Sequence, residues 1–170
     1  YEEAWGKIVW KTPLSDDQKQ TSILKHTNFY RVIDALISKL ESKFNLCIVY
    51  DIHSYNYKRE GRYDKAPVVN LGTFYLDTER FNYLIDAWIS ELSKIMIDEK
   101  PISVKKNVIF YGRGYLVRHI TDNFNNTLVL PTEIKKIYVD ENTGEIYPDM
   151  VNLVKKALTE AILAHSLLLI

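Results

Sequence analysis

The chain has 170 residues, 46% of them apolar and 26% charged, which is enough apolar material for the core of one domain or one large piece of a domain. Lys plus Arg and Asp plus Glu both number 22, so the formal net charge is zero, and neither a nucleic-acid partner nor a membrane surface is indicated. The single cysteine, Cys47, excludes an internal disulfide; in the run Leu46-Cys47-Ile48-Val49-Tyr50 it reads as a small buried hydrophobe, and a cytoplasmic setting is expected.

In chain order, residues 5–13 carry Trp5, Ile8, Val9 and Trp10 without a clear period and read as an extended arm or short strand. Ser15-Asp16-Asp17-Gln18 is a capping box, with Leu14 placed to staple it. The helix it opens carries Phe29, Val32, Ile33, Leu36, Ile37, Leu40 and Phe44 on one stripe. Residues 46–52 are apolar up to Asp51 and predict a central strand covered on both faces. Residues 55–67 read as a polar, aromatic and basic surface loop, and 68–74 as a second short strand. The spacing of Phe81, Leu84, Ile85, Trp88, Leu92, Ile95 and Met96 predicts a helix over 78–98, stopped before Pro101. A third strand is expected over 104–111, a fourth over 128–134, a turn at 140–144, and an amphipathic helix from Asp149 through Ile162. Strands alternating with long helices argue an α/β fold, a layered mixed β-sheet flanked by helices. The expectation is one α/β domain over 1–170. A start without Met and an end at Leu167-Leu168-Leu169-Ile170 suggest a fragment of a longer chain.

The residues with chemistry to offer form three groups. Asp51-Ile52-His53-Ser54 stands where the first long strand ends, and alternation puts Asp51 and His53 on one side. A neutral imidazole is a common metal ligand, and a neighbouring carboxylate can fix its tautomer; the bland alternative is a surface histidine opening a loop. Glu133 follows an apolar strand directly. Partial burial there would raise its pKa and suit it to acid–base work; the alternative is an exposed acid paired with Lys135 or Lys136. Gly112-Arg113-Gly114-Tyr115-Leu116-Val117-Arg118-His119 offers close backbone approach and arginines able to grip a carboxylate. It lacks the third glycine and the helix of a dinucleotide site. His119 with Asp122 has ligand-like spacing of a kind common by chance, and Lys58, Arg59 and Arg62 form a basic patch that reads as solvated surface. No Walker loop, Cys-x-x-Cys, His-Glu-x-x-His or Gly-x-Ser-x-Gly occurs, and His26 and His165 read as structural or exposed.

Asp51-Ile52-His53-Ser54-Tyr55, then Asn70-Leu71-Gly72-Thr73, then Gly114-Tyr115-Leu116-Val117-Arg118-His119, and finally Leu130-Pro131-Thr132-Glu133-Ile134 with Tyr138-Val139-Asp140-Glu141 occur in that order. Together they resemble the N-formylglutamate amidohydrolase family. The resemblance implies a fold like the zinc peptidases and phosphorylase-type hydrolases, and hydrolysis of an amide in an N-formyl or N-acyl amino acid. It makes His53 a zinc ligand, with Asp51 behind it, and Glu133 the general base. Arg118, with Arg59 and Tyr115, is expected to bind a small-molecule substrate carboxylate. The family's other zinc ligands belong to a His motif absent from these residues, so they are expected upstream of Tyr1, which would make the chain the C-terminal larger part of a longer one. Two alternatives stand beside this reading. One is a non-catalytic module presenting Arg59, Arg62, Arg113 and Arg118 to a carboxylate or an acidic peptide. The other is a carboxypeptidase-like enzyme using the aromatic loop 55–63 as a larger pocket. The sequence does not fix an oligomeric state.

Overall fold

A computed structural model describes residues 3–4, 7–58 and 65–169, with Ala4 and Lys7 as backbone alone. Two units divide the chain, Tyr1–Lys43 and Phe44–Ile170. In the first, β1 (Glu3–Ala4) pairs antiparallel with β2 (Lys7–Ile8), and α1 (Asp16–Glu41) follows. Trp5 lies outside the described residues. The predicted capping box is formed in both directions: Gln18 N donates to Ser15 Oγ at 3.3 Å, and Ser15 N donates to Gln18 Oε1 at 2.9 Å. The stripe expected to be buried is mostly exposed. Ile37 is buried, whereas Phe29, Val32, Leu36 and Leu40 are open to solvent. Periodicity marks an apolar face, but burial needs a partner surface, and a hairpin of two-residue strands is too small to cover 26 residues of helix.

The second unit is built from β3 (Cys47–Tyr55), β4 (Val69–Leu71), α2 (Thr78–Ser93), β5 (Met96–Ile97), β6 (Lys100–Pro101), β7 (Val104–Lys106), α3 (Tyr115–Asn123), β8 (Thr127–Lys135) and α4 (Pro148–Ser166). Its main sheet has the order β3-β8-β4-β7. β3 runs parallel to β8, β4 antiparallel to β8, and β7 parallel to β4. The predicted mixed sheet flanked by helices is therefore present. Among the described residues no helix is long and apolar enough to cross a membrane.

The central strand is β8, not the predicted 46–52 run. Leu128, Val129 and Leu130 are fully buried, whereas β3, at the end of the strand order among the described residues, is half-covered, with Ile52, His53 and Ser54 exposed. Both runs are apolar, and the pattern alone does not say which has neighbours on both sides. β3 also continues past Asp51, so Asp51 and His53 stand within the strand. α2 is shorter than expected: Lys94 N and Ile95 N turn back onto the carbonyls of Glu91 and Leu92, and Ile95 and Met96 leave the helix. The chain then forms the β5–β6 hairpin, with Asp98 at φ 50° and Glu99 at φ 61° at its tip. Positive φ at both central residues is the twist a two-residue hairpin needs. The third strand stops at Lys106 because Asn107, at φ 55°, turns the chain away. A helix absent from the sequence reading, α3, begins directly after Gly114.

One sheet face is closed by α2 and α4. Trp88 of α2, fully buried, donates from Nε1 to Thr132 Oγ1 at 3.0 Å. Its ring lies 4.9 Å from that of Tyr50 and 5.4 Å from that of His165. Burial of such a ring contributes about 2–3 kcal/mol. His165 of α4 is fully buried and fully satisfied. The Leu84 carbonyl, 2.8 Å from Nε2, can only accept, so the ring hydrogen is on Nε2; Nδ1 then accepts from the Tyr50 hydroxyl at 2.7 Å. Burial raises the Tyr50 pKa to about 12, which keeps it a donor. The structural role expected for His165 is the one it has. The opposite face receives α3 through Val117, and carries Asp51, His53 and Glu133.

Candidate active-site cleft

The site is assembled by strand register. In the parallel β3–β8 pair, His53 lies directly beside Glu133 and Asp51 beside Pro131. Facing residues on adjacent strands project to the same side, with backbones about 4.8 Å apart. On the other flank of β8, Glu133 faces Asn70 of β4. His53, Glu133 and Asn70 thus form a row across three strands. Asp51 and Val49 precede His53 on the same face by alternation, and the face turns polar where the apolar sequence ends.

Asp51 and His53 are coupled directly, with Nε2 of His53 2.7 Å from Oδ1 of Asp51. An ionised carboxylate only accepts, so Nε2 donates and Nδ1 keeps the lone pair. Asp51 is largely buried and the His53 side chain about half exposed. Glu133 is half-buried. Desolvation raises its pKa, the His53 imidazole opposes this, and the Asp51 charge adds to it. The upward shift expected from burial is what the carboxyl shows. Its suggested lysine partners are engaged elsewhere: Lys136 donates to Asn56 Oδ1 at 2.8 Å, and Lys135 lies 4.3 Å over the Tyr57 ring.

A cleft of about 390 Å³ opens over this row. Asp51, His53, Pro131 and Glu133 form its floor, and the segment Ile109–Gly114 its wall. That wall is held by Asn70. Its Oδ1 accepts from Val108 N and Ile109 N, both at 2.9 Å, and its Nδ2 donates to Phe110 O at 2.8 Å. Asn107 adds a second clamp, accepting from Thr73 N at 2.9 Å and donating to Thr73 Oγ1 at 2.7 Å. Between the clamps Gly72 and Gly112 touch backbone to backbone: a Cβ on Gly72 would stand 2.2 Å from Gly112 N. Gly112 also has φ +76°, a conformation glycine adopts without strain. The Asn70-Leu71-Gly72-Thr73 segment therefore fixes the wall, and Gly72 also lines the cleft. Asn70 was missed as a positioning residue, although a buried amide inside an apolar strand was its signal.

The remaining candidates divide. Arg118 lies on the exposed face of α3, with Nε 3.3 Å from Asp122 Oδ2, outside the cleft lining. Tyr115 is exposed and stacks on His119, with ring centroids 6.0 Å apart. Both point from the first turn of α3, whose presence the sequence reading lacked, and the helix turns them away from the floor. Arg59 and Arg62 lie outside the described residues. Arg113, in contrast, lines the cleft. Glu141, matched in the family pattern, is buried and accepts from Tyr57 N at 2.6 Å and Lys58 N at 3.2 Å, anchoring the loop that leaves β3.

His53, Asp51 and Glu133 are donors of the type zinc takes. Among the described residues, however, no three His, Cys, Asp or Glu side chains converge to hold an ion. His53 offers one ligand, and the described residues do not by themselves complete a metal site.

A half-buried carboxyl beside an imidazole–carboxylate pair, on a mixed α/β sheet, brings acid–base groups together in one cleft. The chain matches the N-formylglutamate amidohydrolase family over residues 2–139 and belongs to that family. Its fold is similar to that of the crystal structure of N-formylglutamate amidohydrolase from Ralstonia eutropha JMP134, with a TM-score of 0.70 at 17% identity. The match covers 94% of this chain and 57% of that one, so the chain spans little more than half the length of its structural relative. No curated protein matches the chain.

Proposed function

We propose that the protein hydrolyses the amide bond of an N-formyl or N-acyl amino acid, in a reducing, cytoplasmic setting. The observation that carries the reading is the pairing of His53 and Glu133 in one cleft, in a chain of this family. Glu133 takes a proton from the attacking water as the oxygen–carbon bond forms. It returns that proton to the amide nitrogen as the carbon–nitrogen bond breaks, releasing the acid and the free amine. Partial burial gives the carboxyl the raised proton affinity such a relay requires. Asp51 holds the His53 ring by its Nε2 hydrogen and presents Nδ1. Zinc belongs to the proposal through His53 as one ligand. The test is release of formate from N-formylglutamate, with metal content measured on the same sample. Glu133→Gln is expected to lower kcat by about 10²- to 10⁴-fold while leaving metal content as it was. His53→Ala is expected to lose both metal and turnover. Full turnover by either variant would sink the assignment of that residue, and a metal-free, fully active protein would remove zinc from it.

A further inference from the structure

The exposed wall of the cleft carries a cation set against two aromatic rings. Arg113 Cζ lies 4.2 Å from the Phe74 ring centroid and 5.3 Å from that of Tyr111. Among the described residues it has no carboxylate partner, whereas Arg118 has Asp122, Lys94 has Glu91 and Lys106 has Asp86. Phe74 and Tyr111 are themselves about half exposed, at 53% and 49%. Two large aromatic rings open to water are explained if their task is to hold a guanidinium. A stacked guanidinium is weakly hydrated and keeps its N–H edges free in the plane, where they match a carboxylate in a two-bond fork. The backbone beneath it is fixed as well: Phe74 N donates to Tyr111 O at 2.8 Å, and Gly112 is seated on Gly72.

We propose that Arg113 is the specificity residue that holds the free carboxylate of the substrate; this rests on the amide-hydrolysis reading above. The cleft lining sets the direction of binding. Arg113 is the one Lys or Arg side chain in that lining among the described residues, so the anionic end of the substrate goes to the wall at Arg113 and the amide lies over His53 and Glu133. The substrate class is then an N-acyl amino acid with an unblocked acid, rather than an internal peptide segment.

The test uses N-formylglutamate and its two monoamides, N-formylglutamine and N-formylisoglutamine, with calorimetric binding and formate release measured separately. One monoamide is expected to lose about 10- to 100-fold in affinity and KM, with a much smaller change in kcat, the scale of a charge-assisted hydrogen-bonded pair. In Arg113→Gln that discrimination should fall to within about 2-fold, and Arg113→Lys, which keeps the charge without the flat fork, should restore part of it. Undiminished discrimination in Arg113→Gln, or none in the unaltered protein, overturns the proposal while hydrolysis itself stands. Carboxylate-selective binding that Arg113→Gln abolishes, without formate release, supports the proposal and overturns the hydrolytic reading. Neither binding nor release overturns both.

Discussion

Glu133 stands beside His53 because β3 and β8 run parallel in a single register, and it is partly dehydrated because β8 is the covered strand of the sheet. Both residues were singled out in the sequence for their chemistry. Their adjacency was not, since 80 positions separate them and alternation speaks only for one strand at a time. Arg118 stands differently: the one-turn geometry of α3 sets its guanidinium beside Asp122 on an exposed face, outside the lining of the cleft. At the same scale, the Gly72–Gly112 contact leaves no room for a methyl group. Gly72→Ala should destabilise the fold by about 3 kcal/mol or more, read as a lower urea midpoint with an unchanged slope. Gly114→Ala, whose added carbon would meet its nearest atom at 3.9 Å, serves as the tolerant comparison.

At the level of elements, the capping box of α1, the last helix, and the four strand positions followed from local pattern. Pattern failed where a longer-range contact decided. β3 became an edge strand through the order of pairing, α2 ended early in favour of a hairpin, and α3 arose from nine residues too short to show a period. The loop from Asn107 to Gly114 was expected to be partly strand because it is apolar. Its backbone is claimed instead by Asn70, whose side chain replaces three ladder hydrogen bonds. Asn70→Ala should therefore leave the sheet formed and loosen the wall. Amide hydrogen exchange at Val108 and Ile109 is expected to speed up by about 5- to 100-fold, corresponding to about 1–3 kcal/mol, while amides of β8 keep their protection.

Across the second unit, Tyr50, Leu84 and His165 tie β3, α2 and α4 together at one buried point. Burial lowers the His165 pKa, so the folded protein favours the neutral ring and the unfolded chain binds the extra proton. The stabilisation is complete above the ordinary histidine value of about 6.5 and is lost as the pH falls through the lowered folded value. Urea unfolding should show stability declining below about pH 6.5. His165→Gln, which keeps a donor and an acceptor but does not titrate, should flatten that decline. The sequence marked His165 as structural or exposed without revealing this link, because its partners lie 81 and 115 positions away. The glycine contact beneath the cleft wall also limits how such a cleft can change over generations. The rim can exchange Arg113 or its aromatic neighbours and so drift between substrates, one tolerated step at a time. Gly72 and Gly112 have no smaller residue to retreat to, so neither can compensate for growth of the other. Diversification of this cleft is confined to its lip, over a backbone contact that must stay as it is.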